Sequence, residues 1–202
     1  MSQHAQKTGS GRQLQSDERF PAGRFLSRDE CELLAKQVTA KAMGGGSTTT
    51  YIKSSWTGNL RWARNQIISS GDVRTNNIYI SRNIKGAGNT AYTNQIDPAS
   101  LEATTRRAER LLRLEPEHPE AELYTAFMEP FKEPKLWFDS TYQLQAAERA
   151  EAMRKLVKPA VDAGMFAAGY IEVSAHGQAV MNGRDQTLYY PYTLAQYSVT
   201  VR

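Results

Sequence analysis

Apolar residues in this chain first settle into a regular rhythm after Phe25. Leu33, Leu34 and Val38 keep the spacing of one helical face, and Gly44-Gly45-Gly46 stops the run. Ser27 followed by Glu30 fits a capping box, in which the Ser hydroxyl accepts from the Glu30 backbone N–H and the Glu side chain reaches back. The spacing predicts a helix over about 27–42. The rhythm then changes to period two: Thr48, Thr50 and Ile52 alternate with Thr49, Tyr51 and Lys53, as in a half-buried strand. Gly58-Asn59 reads as a turn into a second strand holding Leu60, Trp62 and Ala63. Ser69-Ser70-Gly71-Asp72 reads as a hairpin, and Val73, Ile78, Ile80 and Ile84 lead to a turn at Gly86-Ala87-Gly88-Asn89. Four or five antiparallel strands with one apolar face are expected here.

Asp97-Pro98 opens a second helix, with Asp as N-cap and Pro at the first position. Leu101, Ala108, Leu111 and Leu112 supply its core-facing stripe. Residues 25–113 therefore read as one α+β unit of helix, antiparallel meander and helix. Pro116, Pro119, Pro130 and Pro134 lie among Glu and Lys, so 114–135 reads as a linker. A third helix is expected over about 146–158, where Pro159 kinks or ends it. Strands are expected at 168–175, 179–181 and 187–202, with Asn182-Gly183 as a turn. The fold class is α+β, with a second, truncated α+β domain at 136–202: the last alternation, Tyr197 to Arg202, stops in mid-strand.

Composition adjusts this picture only modestly. Lys and Arg total 25 against 21 acids, a formal net charge of +4 over 202 residues, and the signs are interleaved. A mixed solvated surface is expected rather than a basic nucleic-acid stripe. Residues 1–24 are rich in Gln, Ser, Gly and Arg and read as a disordered tail without the apolar centre of a secretory signal. No apolar run approaches the ~20 residues of a bilayer span. Cys31 is the one cysteine, which favours a reducing, cytoplasmic setting, and its place among Leu33, Leu34 and Val38 reads as a small buried hydrophobe.

Candidate chemistry is sparse. His118 falls in the Pro-rich linker and His176 precedes Gly177 near an expected strand end, so neither is expected to ligate metal. No His-Glu-x-x-His or Cys-x-x-Cys spacing is present. Gly44-Gly45-Gly46-Ser47 lacks the Gly-Lys-Ser/Thr of a phosphate-binding loop, and Gly86-Ala87-Gly88 lacks the third glycine and the helix of a dinucleotide fingerprint. Glu115, Glu117, Glu120 and Glu122 read as a charged linker, and Glu172 as a solvent-facing strand residue. Arg61 and Arg64 with Trp62 could make a stacking surface for nucleic acid. Strand alternation, however, sends the two arginines to opposite faces and predicts a core Trp with edge arginines.

The stretch Gly58-Asn59-Leu60-Arg61-Trp62-Ala63-Arg64-Asn65-Gln66-Ile67, followed by Ser69-Ser70-Gly71, resembles the N-terminal domain of the TldD/PmbA family, zinc metalloproteases of the DNA-gyrase-modulator type. Ala163-Gly164 and Ala167-Ala168-Gly169-Tyr170-Ile171-Glu172-Val173 resemble that family's second domain. The resemblance implies a cytoplasmic peptidase acting on peptides or unfolded proteins, and a related subunit as partner in a homo- or heterodimer. The lack of a long apolar run sets aside a membrane partner, and the split arginines favour a peptide over nucleic acid. The family's His-Glu-x-x-x-His motif matches nothing here, so no catalytic or metal residue is expected in this chain, and zinc is expected only in a missing C-terminal part. Arg61, Trp62, Arg64, Asn65, Ser70 and Gly71 mark the motif and a candidate peptide-contact region. The expected role is a non-catalytic part serving subunit assembly and peptide guidance. The alternative is a stand-alone module binding protein or nucleic acid.

Overall fold

A computed structural model describes residues 25–118, 132, 134–182 and 186–202. The elements run α1 (Arg28–Lys41), β1 (Ser47–Ala63), β2 (Gln66–Ile84), β3 (Ala87–Thr93), α2 (Pro98–Leu112), α3 (Asp139–Tyr142), α4 (Ala146–Asp162), β4 (Ala167–Asn182) and β5 (Thr187–Val201). Their strands form one antiparallel sheet in the order β3-β2-β1-β4-β5. The fold is therefore α+β. The strands on either side of 114–135 belong to this same sheet, because β1 pairs with β4 from Thr49–Asn182 to Trp62–Gly169. The expected break between 113 and 136 thus does not divide two sheets.

Both helix starts follow from local chemistry. Ser27 and Glu30 form the reciprocal capping box of α1, and Asp97 accepts from the Ser100 N–H at the head of α2. Cys31 is buried with Leu34, Ala35 and Val38 on the inner face of α1, and burial pushes its thiol pKa up to about 12, assisted by Glu30 and Glu32.

The strands are longer than the turn residues suggested. Gly58-Asn59 and Ser69-Ser70-Gly71-Asp72 lie inside β1 and β2, directly paired as Gly58–Asp72 and Asn59–Gly71. The chain reverses instead at Arg64-Asn65, with φ of 50° and 64°. Two successive left-handed residues match the right-handed twist of a tight hairpin, and Asn adopts that region more readily than most residues. The meander consequently has three strands, not four or five. Likewise 168–175 and 179–181 are one strand, β4, and α4 runs past Pro159 to Asp162. Gly183 of the expected Asn182-Gly183 turn lies outside the described residues, as does most of 114–135.

Alternate residues of β1 from Thr48 to Trp62 are buried, and this face is covered by the helices. Three apolar clusters lie along it. Ile52, Ile78 and Ile80 pack with α1 and Leu101 of α2. Trp56, Val173 and Ala175 pack with Tyr142. Leu60 and Trp62 pack with Met153, Val157 and Ala160 of α4.

Two arginines are also buried there. Arg82 donates to the carbonyls of Met43 (2.8 Å), Gly45 (2.6 Å) and Ser47 (2.9 Å) and to the Thr48 hydroxyl. Its Nε lies 3.8 Å from Glu109, which also accepts from the Met43 N–H at 2.6 Å. Burial lowers the Arg82 pKa and Glu109 opposes that shift. Such a charge is tolerable in the interior because nearly every donor has an acceptor. It holds the Gly44-Gly45-Gly46 turn, whose residues all have positive φ.

Candidate functional site

The other face of the sheet has no helix against it among the described residues. Strand register assigns its side chains, since directly opposed residues point the same way. Tyr51 stands opposite Tyr79, which stands opposite Tyr92. Lys53 stands opposite Gln178, which stands opposite Tyr190, and Ser55, His176 and Tyr192 form the next row.

Gln178 organises the middle of this surface. Its Oε1 accepts from the Tyr51 hydroxyl at 3.0 Å and the Tyr190 hydroxyl at 2.9 Å, and its Nε2 donates to the Tyr192 hydroxyl at 3.1 Å. His176 stacks on Tyr192 with centroids 4.4 Å apart and planes 8° apart, and its Nε2 lies 2.8 Å from Ser174 Oγ. Tyr79 bridges Tyr51 and Tyr92 at 5.9 and 5.2 Å. The Lys53 ammonium sits 5.1 Å above the Tyr51 ring.

Burial lowers the His176 pKa against the opposing pull of Glu172. Burial, then the neighbouring Tyr51 and Tyr192, raises that of Tyr190, with Lys53 acting the other way. The surface is a rigid, hydrogen-bonded aromatic platform. It offers rings, amides and hydroxyls for contact with an extended ligand; its one hydroxyl–imidazole contact, Ser174 with His176, keeps the hydroxyl buried. Among the described residues, no three His, Cys, Asp or Glu side chains gather as metal ligands, and no helix is long and apolar enough to cross a membrane.

Beyond the platform the β1–β2 hairpin continues past β3 as a lobe, with β1 still paired to β4 as far as Trp62–Gly169. Every residue of β2 from Gln66 to Thr75 is exposed, whereas the residues facing them in β1 alternate between buried and partly or fully exposed. β3 pairs with β2 only from Ile78 to Ile84. The outer edge of β2 from Gln66 to Asn77 consequently carries no strand partner among the described residues.

The six residues singled out from sequence lie in and around this lobe, but not in one cluster. Arg61 is exposed on the open face. Trp62 is 1% exposed on the opposite, helix-covered side, so it is a core residue and cannot touch a ligand on the open face. Arg64 and Asn65 form the turn. Asn65 is partly buried and structural: its side chain donates to Met165 O at 3.0 Å and accepts from Ala167 N–H at 2.7 Å, tying the hairpin tip to the start of β4. Ser70 donates to Asn59 O at 3.2 Å, and Gly71 is exposed, with open space where a Cβ would stand.

Sequence reasoning missed the tyrosine platform. Its signal was present in Tyr190 and Tyr192 two apart, but the rows that join them to Tyr51 and Tyr79 exist only through register. His176, expected near a strand end, is a mid-strand member of the platform, because β4 continues through Gly177.

This helix-backed antiparallel sheet defines a fold shared with a set of larger solved proteins. TldE from Thermococcus kodakarensis superposes with a TM-score of 0.65 at 13% identity, covering 85% of this chain and 42% of that one. A candidate modulator of DNA gyrase from Bacteroides thetaiotaomicron gives a TM-score of 0.71 at 13% identity, over 86% of this chain and 41% of that one. Another from Thermotoga maritima gives 0.63 at 11% identity, over 84% and 42%. These likenesses are of fold, and the chain spans about two fifths of the length of each. No family model and no curated protein matches the sequence.

Proposed function

We propose that this chain is the non-catalytic, N-terminal part of a TldD/PmbA-like metallopeptidase, serving subunit assembly and the guidance of peptide towards a catalytic centre carried elsewhere. The observation that supports it is the fold likeness over most of this chain to a minor part of much longer proteins, one of them TldE. The motif Leu60-Arg61-Trp62-Ala63-Arg64-Asn65, read as this family's from sequence, falls at the hairpin tip. An open sheet edge beside an aromatic face suits a protease part that handles varied substrates, since main-chain hydrogen bonds recognise any extended segment. Zinc belongs, in this reading, to the part of a full-length relative that bears the His-Glu-x-x-x-His motif. A cytoplasmic setting accords with the single, buried Cys31.

Hydrogen exchange of the whole chain with and without a reduced, carboxymethylated unfolded protein tests the guidance role. Slowed exchange within 58–94 is the expected result; unchanged protection throughout the sheet would discard it. Sedimentation of the chain alone and mixed with a TldD-type subunit tests assembly, for which a shift in the mixture or a dimer alone is expected.

A further inference from the structure

Resting on that reading, we infer that the outer edge of β2 between Gln66 and Asn77 receives an acidic, extended peptide segment as an added strand. Three observations converge on this edge. Among the described residues it has no strand partner over roughly 35–40 Å, at ~3.4 Å per residue, while β3 pairs only with the remainder of β2. An open edge of this kind displays N–H and C=O groups that a second chain can pair. Proteins commonly blunt such edges with proline, lysine or short strands, and Gln66–Asn77 contains neither proline nor lysine. Exposed apolar side chains also flank it: Ile68 is 65% and Val73 54% exposed. These can meet alternate residues of an incoming strand.

Charge then selects the occupant. Arg61 and Arg74 are exposed on opposite faces of the lobe, and Arg64 is exposed at its tip. None has an ion-pair partner among the described residues. The lobe's one acid, Asp72, already has its charge met by buried Arg149 at 2.9 Å. An added strand therefore lies beside the uncompensated Arg74 on one face of β2, with Arg61, one strand further in, on the other. Carboxylates at alternating positions, which share one face of the strand, complement the Arg74 side, and a lysine-rich segment is repelled.

Fluorescence anisotropy of the whole chain with a short fluorescein-labelled peptide alternating Glu with Thr and Val tests the assignment. The same peptide with Lys for Glu is the counterpart, and hydrogen exchange locates the site. The acidic peptide is expected to bind about tenfold more tightly than the lysine one, to weaken with salt and to protect 66–77. The double variant Arg61→Glu, Arg74→Glu, with circular dichroism confirming its fold, is expected to reverse the preference.

Equal binding of both peptides, or protection confined to β5 or the tyrosine face, overturns the edge assignment while leaving peptide guidance intact. Failure of both peptides and of unfolded protein to alter exchange anywhere overturns both. Concentration-dependent self-association that protects 66–77 without peptide assigns the edge to a second copy and overturns the inference. Tighter binding of a single-stranded oligonucleotide at 66–77 overturns it in favour of nucleic acid.

Discussion

Arg149 of α4 passes beneath Gly58 of β1 to place its Nη2 2.9 Å from Asp72 Oδ1 on β2. The guanidinium is buried while Asp72 is half exposed, and Nη1 donates to Leu144 O at 3.2 Å. The passage exists because Gly58 has no Cβ: one placed there would fall within contact distance of Arg149 Nη1. A residue that reads locally as a turn is thus a mid-strand gap for an arginine, and the pair ties the exposed lobe to the helix layer.

Gly58→Ala should displace that guanidinium and strand a buried charge, destabilising the chain by about 2–4 kcal/mol. Asp72→Asn should cost less, since its carboxylate is partly solvated and its pair is correspondingly weaker. Urea unfolding measures both. In an Arg149→Met background the Gly58→Ala penalty should shrink clearly; an undiminished penalty would mean that the glycine matters for another reason.

Asn65 carries two separable contributions, its left-handed backbone and its side-chain bonds to Met165 O and Ala167 N–H. Asn65→Gly keeps the first and loses the second. Asn65→Ala loses the second and adds strain of about 1 kcal/mol. Thermal unfolding should rank wild type above Asn65→Gly and Asn65→Gly above Asn65→Ala.

His176 stays neutral more readily in the folded chain than in the unfolded one, because burial lowers its pKa. Below the unfolded value of about 6.5 the unfolded state binds the extra proton, so this contribution to stability is present above that pH. It is lost as the pH falls towards and through the folded value. Melting temperature should drop on acidification from pH 7.5 to 5, and His176→Phe should flatten that part of the profile. An identical profile in the variant would remove His176 as its source.

Cys31, buried and with its pKa pushed up to about 12, should be inert to a thiol-specific reagent at pH 8 in the native chain and react rapidly in denaturant. Rapid native labelling, read by the colour of the released thiolate, would contradict the packing of α1.

Helices were legible because their signals are local. The Ser27–Glu30 capping box and the Asp97-Pro98 start rest on atoms within one turn of each other, and α1 and α2 begin where these place them. The burial of Trp62 and Cys31 followed from alternation and helical spacing. Glycine was the misleading signal: at positions 58, 71 and 177 it sits within long strands. At Gly58 the neighbouring Arg149 takes the space of a Cβ, and at Gly177 the Leu26 carbonyl does.

The sequence by itself determined the α+β composition and the helix starts, which depend on neighbours along the chain. Only the tertiary structure decided that β1 lies between β2 and β4, making one sheet of what read as two domains. That pairing joins residues more than a hundred positions apart, such as Tyr51 and Gln178. The aromatic platform and the edge of β2 that has no partner among the described residues both follow from it: side chains share a surface only once register and strand order are set.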